Sequence, residues 1–597
     1  MKHVFSAARD LLARCHRQSP LKTWTAVVLM LLAGAMLPLA ALGIKVLLEA
    51  ANDGDGDTAT VAGVVVAVLL TGAVTLSHFA HIAYCELAEL NLVNLDVELI
   101  GLANGSTGLD VHETPEQADR LAVLQEEVPH VRMALQALLT AASLVVGMAL
   151  TAVLLAVVDP LLLLLPLVGV PALFAGKRAE QVVDDARTAA AEPNRLARGA
   201  FRLATDAASA KELRVYRLAS DVRRRHAELW GAATELLARA HVKATLLRAL
   251  GQFFFAAGYI GAVLLVVWEA ATGRASAGEV VLTIVLAAQV NIQVAITVML
   301  LPALRRFASV DQRLRAFRAV VADTEQAASG GGGVPPDRLR DGIRLDGVSL
   351  TYPGATEPSL REVSLTLPAG CTVAVVGENG AGKSSLVKLL CGFHRPDRGT
   401  VTVDGRDLAD IGVAAWRERV AAGFQDFVRY EFTARESVGL GDLPHADLPH
   451  AVEAALDRAG AGDLPRRLPD GLDTRLGRSY APGVELSGGQ WQKLALGRAF
   501  MREQPLLLVL DEPTAALDAE AEHVLFGRYA DQASRHAAER GAITVLVSHR
   551  FSTVRMADLI VVMADGRIAE VGDHAALVAH GGLYAQLYGL QAAAYRN

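Results

Sequence analysis

The chain has 597 residues, 52% of them apolar, and a mean hydropathy of +0.32. That balance excludes an ordinary soluble protein and points to lipid. A net charge of −7 with no basic tail or stripe excludes nucleic acid as a partner, and the four cysteines (Cys15, Cys85, Cys371, Cys391) lie at no C-x-x-C or Cys/His metal spacing, so they read as free thiols.

Residues 1–22 are basic and weakly amphipathic, and they read as a cytoplasmic N-terminal segment. The apolar run after Thr23 is too long for the core of a cleavable signal, so it reads as a retained span. Residues 23–323 form the expected transmembrane domain, with six apolar runs near 23–48, 60–84, 133–158, 161–176, 249–271 and 278–304. Asp159-Pro160 splits two of them, as a tight hairpin at a membrane face would. Lys and Arg flank the first, fourth and sixth runs on one side (Arg9, Arg14, Arg17, Lys22; Lys177, Arg178; Arg305, Arg306), which places both termini in the cytoplasm.

Between the spans, segments 85–132 and 177–248 are long, charged and helix-favouring. As helical hairpins they would carry the spans well past the bilayer, with tips at 104–116 and Ser209–Leu218 that can touch a soluble domain. Asp53, Asp55 and Asp57 imitate a calcium loop, but Thr58 and Val64 occupy the positions that need Gly and a bidentate Glu, so a solvated turn is expected. Polar groups in the spans (His78, His81, Asn291, Gln293) are candidates for a cavity wall beside Tyr259 and Trp268, with helix packing the blander reading. Lys45 and Glu49, at i and i+4, are expected to pair.

Residues 324–340 are a linker containing the Gly/Pro stretch from Ala328 to Asp337. From 341 to 597 short β-branched runs (CTVAVVG, GTVTVDG, LLLVLDE, ITVLVSH) alternate with helical stretches, as in an α/β domain with a largely parallel sheet. The run from Gly377 to Ser385, GENGAGKSS, fits the phosphate loop G-x-x-x-x-G-K-[S/T]. Gly377, Gly380 and Gly382 let backbone N–H groups approach phosphates, with Asn379, Ala381 and Ser385 in the same cradle. Lys383 reaches the terminal phosphates, and the Ser384 hydroxyl suits Mg²⁺. Downstream, LLLVLDEP is a buried strand ending in two acids: Asp511 suits Mg²⁺ and Glu512 suits a general base for water.

The stretch ELSGGQWQKLALGRAF, with Leu486-Ser487-Gly488-Gly489-Gln490 inside it, closely resembles the signature of ATP-binding-cassette (ABC) ATPases. A helix opened by Ser487 and Gly488 offers N–H groups to an anion. The resemblance implies more. Ser487, Gly488, Gly489 and Gln490 would face ATP held by a second cassette. Tyr352 resembles the adenine-stacking aromatic and Gln425 the glutamine that ligates Mg²⁺. Asp518 resembles the loop that speaks across the dimer, and His549 the histidine on the γ-phosphate. Six spans followed by one cassette resemble an ABC exporter half-transporter, an all-α membrane domain followed by an α/β P-loop ATPase. The resemblance implies ATP and Mg²⁺ as cofactors, a homodimer in the cytoplasmic membrane, and alternating access driven by ATP hydrolysis.

For cargo, the stretches around Gln425 and the signature resemble lantibiotic-type peptide exporters, and Arg478–Val484 departs from the loop usual in multidrug and lipid exporters. Too few residues precede the first span for a leader peptidase domain, so Cys15 is not its nucleophile. The expected cargo is a hydrophobic or amphipathic natural product, an antibiotic or modified peptide; a lipid or multidrug exporter is the alternative.

Overall fold

The computed structural model describes residues 2–105, 108–207, 209–328, 331–512, 534–548, 550 and 554–594. They divide into two compact units, Met1–Leu99 with Val123–Ala316, and Ile100–Ala122 with Phe317–Asn597.

The first unit is helical. Among the described residues six helices are long and apolar enough to cross a membrane: Pro20–Asn52, Gly56–Gly105, Arg132–Val158, Pro160–Ala189, Ala219–Ala271 and Ala277–Asp323. Each contains one expected apolar run. The second and fifth, at 50 and 53 residues, are far longer than the ~20 that span a bilayer, as their charged extensions lead one to expect. Asp159 ends the third span and caps the next turn, accepting from Leu161 N at 2.6 Å, so the hairpin expected there exists.

Packing among these helices follows membrane rules. Large apolar side chains such as Val61, Val68, Ile260 and Leu264 are exposed on the outside, where lipid would cover them. Leu155, Leu162, Leu165, Phe255, Leu286 and Val290 form the interior. Backbones approach closely at small residues: a Cβ on Gly34 would meet Ser143 O at 2.3 Å, and one on Gly258 would meet Val168 Cγ1 at 2.5 Å.

Of the polar residues singled out in the spans, Asn291 and Gln293 link helices, whereas His78 and His81 bond within their own. Gln293 donates to Thr151 Oγ1 at 3.2 Å, and Gln252 donates to Asn291 Oδ1 at 2.7 Å. His78 bonds the Val74 carbonyl on its own helix, and His81 bonds the Tyr84 hydroxyl. Tyr259 packs on the interior, while Trp268 is exposed beneath the Arg274 guanidinium. Lys45 sits 3.8 Å from Glu49, as expected, but its shorter contact is Glu279 at 3.0 Å, which ties the first span to the sixth. Asp55 accepts from Thr58 N at 3.1 Å, an ordinary turn cap rather than an ion loop. Ser209–Leu218 forms one short helix, Ala210–Val215, with Tyr216 exposed after it.

The second unit holds the loop tip 100–122 and an α/β domain. Ten strands run β1 Gly342–Leu350, β2 Leu360–Pro368, β3 Thr372–Gly377, β4 Arg398–Val403, β5 Arg406–Asp407, β6 Val420–Gly423, β7 Leu507–Asp511, β8 Ile543–Val547, β9 Leu559–Ala564 and β10 Arg567–Gly572. A six-stranded sheet has the order β10-β9-β3-β8-β7-β6, parallel apart from the β10 edge. A four-stranded sheet, β2-β1-β4-β5, is antiparallel.

The second sheet corrects one expectation. GTVTVDG does not join the parallel sheet; it is β4, paired antiparallel to β1. Its burial explains this: β4 is exposed over its first half and alternates beyond, with Val401 and Val403 buried and Thr402 half-buried between them, whereas β7 and β8 are buried at every residue. Strands buried on both faces belong to parallel sheets, and half-solvated ones to antiparallel sheets. Between the sheets lies a core built on Val348, Val363, Val373, Leu386 and Trp416. A separate helical core around Val452, Leu456, Trp491 and Leu494 supports the signature stretch.

Candidate functional site

The phosphate loop leaves the parallel sheet at the C-terminal end of β3, a central strand between β8 and β9. Ligands of α/β folds bind at that edge. Two glycines are obligatory there. Gly377 has φ +152°, and a Cβ would meet Met563 O at 2.3 Å; Gly382 has φ +98°, and a Cβ would meet Ser359 O at 2.8 Å. Gly382 opens the helix Lys383–Leu390 without a side-chain cap, so its first N–H groups remain for an anion. Lys383 Nζ folds over the loop and donates to the carbonyls of Gly377 (2.9 Å) and Glu378 (2.8 Å). Asn379, Gly380 and Ser384 are exposed, whereas Ala381 and Ser385 are buried. Ser385 Oγ accepts from the Tyr352 hydroxyl at 3.2 Å.

The acids arrive from the next strand but one. Asp511 closes β7 and is 8% exposed. Glu512 follows with φ +47°, a left-handed backbone that costs a non-glycine residue about 1–2 kcal/mol. The strain turns Glu512 out of the sheet, where Gln425 Nε2 donates to its Oε2 at 2.6 Å and Gln492 Nε2 to its carbonyl at 3.3 Å. Burial, then the nearby charges of Glu512 and Asp426, push the Asp511 carboxyl up to about 6, against the pull of Lys383. Burial also lowers the Lys383 ammonium, which Glu512 and Asp511 oppose.

This surplus of buried negative charge is what a divalent cation would relieve, so the residues fit Mg²⁺. Among the described residues no cluster of three or more His, Cys, Asp or Glu forms a metal cage. Mg²⁺ bound to nucleotides typically takes only one or two carboxylates, with phosphate oxygens and water completing its shell.

Ser487 caps the signature helix Gly488–Ala499 with a full capping box: Gln490 N donates to Ser487 Oγ (3.3 Å) and Ser487 N to Gln490 Oε1 (2.8 Å). Ser487 and Gly488 are exposed, while Trp491 and Leu494 anchor the helix in its core. Two of the four N–H groups expected to meet an anion, those of Ser487 and Gln490, are thus already bonded. Gly488 and Gly489 precede the helix ladder and keep theirs for a ligand. The unusual stretch Arg478–Val484 is folded back by Gly477 N on Val484 O (2.9 Å) and by Ser479 N on Glu431 (3.2 Å). Asp518 and His549 lie outside the described residues. All four cysteines are free thiols, and burial pushes Cys371 to about 11 and Cys391 to about 12, which keeps both unreactive.

Sequence reasoning missed the surroundings of Tyr352. Lys388 Nζ lies 5.2 Å from its ring centre, His394 meets it edge-on, and Glu113 binds Lys388 from 275 residues upstream. No local spacing could have signalled that contact.

Residues 360–515 match the family model described as "ABC transporter". An ATP-dependent lipid A-core flippase of Thiobacillus denitrificans is 35% identical over 379 residues, 61% of this chain and 62% of that protein. The cyclolysin secretion/processing ATP-binding protein CyaB of Bordetella pertussis is 41% identical over 254 residues, 42% of this chain and 34% of that protein. The chain thus matches less than two thirds of the length of either relative. In three dimensions it is similar to a bacterial Atm1-family ABC exporter with ATP bound, at TM-score 0.78 and 24% identity, covering 96% of this chain and 98% of that one. The protein therefore has the fold of an ABC exporter, a helical domain with six membrane-length helices followed by an α/β ABC-transporter ATPase domain.

Proposed function

We propose that this protein is one half of an ATP-driven exporter that works as a pair of identical copies in the cytoplasmic membrane, moving a lipid or lipid-like amphiphile by alternating access. The observation that carries the ATP part is the convergence of Lys383, Asp511, Gln425 and Glu512 at the mouth of a loop that requires glycine at Gly377 and Gly382. Backbone N–H groups from Gly380 to Ser384 cradle the phosphates and Lys383 takes the terminal charge. Glu512, held by Gln425, accepts a proton from the attacking water. Ser384, Asp511 and Gln425 would hold Mg²⁺, which neutralises phosphate charge when bound.

A second copy is proposed because Ser487 and Gly488 face outward with no phosphate loop of their own to serve. Asp518 and His549 join the proposal as the dimer-facing and γ-phosphate-facing residues that the family resemblance implies. Both termini are placed on the cytoplasmic side by the arginine and lysine bias.

For cargo, cassette similarity does not discriminate, since the secretion protein is 41% identical there. The flippase match extends over 379 residues, longer than the whole region after the linker, so it includes part of the helical domain. That favours lipid over the natural-product reading drawn from the cassette stretches. ATPase activity of the purified full chain in liposomes tests it: charged amphiphilic lipids are expected to stimulate hydrolysis several-fold. Stimulation by peptide antibiotics and not by lipids would reverse the choice.

A further inference from the structure

Glu113 sits on the short helix Asp110–Glu113, which is anchored by Val111 at 1% exposure. This segment belongs to the same compact unit as the ATPase domain. Glu113 Oε1 accepts from Lys388 Nζ at 2.7 Å. Its Oε2 lies 3.0 Å from His394 Nε2, a charge contact outside hydrogen-bond geometry. Both partners flank Tyr352. Lys388 Nζ stands 5.2 Å over the ring, and the His394 ring meets it edge-on, with centroids 5.1 Å apart and planes at 82°. The hydroxyl is tied to Ser385 at 3.2 Å.

We propose that Glu113 is a positioning residue for nucleotide binding: through Lys388 and His394 it fixes the Tyr352 ring, so base stacking depends on a residue from the segment joining the second and third spans. This rests on the ATP reading above. The physical link is the half-buried ammonium of Lys388. Burial works against its charge, and the Glu113 hydrogen bond, followed by the charges of Tyr352 and Glu113 and a Tyr352 hydrogen bond, more than compensates, holding it above the usual lysine range. Without the Glu113 carboxylate, that ammonium is drawn toward water and off the ring, and the buried His394 loses its anionic neighbour. Lys388 also lies in the last turn of the helix whose first turn faces the phosphates, so one rigid element carries both the phosphate cradle and the support of the base aromatic.

The test is equilibrium binding of ATP and of inorganic tripolyphosphate, which has no base, to the detergent-solubilised full chain. Tyr352→Ala is expected to raise the ATP Kd about tenfold, in line with loss of one base–aromatic stack. Glu113→Gln is expected to raise it about fivefold and to leave tripolyphosphate within about twofold. In the Tyr352→Ala background, Glu113→Gln should add almost nothing, since residues acting through one group are not additive. An unchanged ATP Kd in Glu113→Gln overturns the proposal. So does equal loss of ATP and tripolyphosphate, or a full fivefold effect in the Tyr352→Ala background. A wild-type chain that bound neither ligand would instead sink the proposed ATPase itself.

Discussion

Two helices of the ATPase domain open on glycine-rich turns, and their surroundings are opposite. Lys383–Leu390 starts at a left-handed Gly382 with no side-chain cap, packed under a core that buries five of its eight residues. The chemistry lies beside it: Lys383 against Asp511, and Glu512 held by Gln425. Gly488–Ala499 starts at Ser487 inside a complete capping box, and a Cβ on Gly488 would meet nothing within 4 Å. The first helix withholds its N–H groups from its own side chains and has reactive groups at hand. The second is self-capped, and its first residues, Ser487 and Gly488, are open to solvent. That capped, outward-facing start is what the proposed function assigns to nucleotide held by a second copy.

The comparison breaks most visibly on the first side. Glu512→Gln keeps the side-chain shape and removes the proton acceptor, so ATP hydrolysis should fall about 10²–10³-fold with ATP binding retained. Hydrolysis by the purified variant and its ATP Kd, measured together, decide this. Wild-type turnover would remove Glu512 from the mechanism, and lost binding would make it structural.

A smaller and different failure is expected on the second side. Gly488→Asp places a negative charge where the proposal puts a γ-phosphate from the partner, in a position with steric room for it. Hydrolysis should fall about 100-fold while the ATP Kd of the isolated chain moves less than about threefold. A binding loss as large as the loss of hydrolysis would show that the signature helix serves its own domain's nucleotide, and the contrast between the helices would vanish.

These two helices also show how far the sequence could be read. The backbone of the phosphate loop, the acid pair at a strand end and the helix of the signature stretch were legible because each is a local pattern, whereas the cap of Gln490 on Ser487 was not read. The spans were legible through length and hydropathy, and their continuation through charge. What stayed hidden was non-local. The Lys45–Glu279 contact joins residues 234 apart, and Glu113 reaches Lys388 across 275. GTVTVDG was misplaced because β-branched runs of similar length suit either sheet, and only burial on one face or two separates them. The bond between Tyr352 and Ser385, 33 residues apart, was likewise beyond any local pattern.

The smallest effect concerns what the first helix faces when no nucleotide is bound. Asp511 has its carboxyl raised to about 6 from an ordinary 3.8, chiefly by burial. Between pH 4 and 6 the native state therefore holds more protons than the unfolded one, and stability falls as pH rises through that window. The sign is opposite to that of a salt-bridged aspartate. Asp511→Asn removes the term, so the nucleotide-free full chain should gain about 1–2 kcal/mol at pH 7, with the gain shrinking to nothing near pH 4. Unfolding midpoints of the ATPase domain in both proteins across that range measure it. The same variant should gain less stability than wild type from added Mg²⁺ and ATP, because the carboxylate that burdens the empty site is the one that would share the cation's charge. A gain that grew toward low pH would mean that Asp511 is favourably ionised in the empty site, and the surplus of negative charge that makes the site fit Mg²⁺ would not exist.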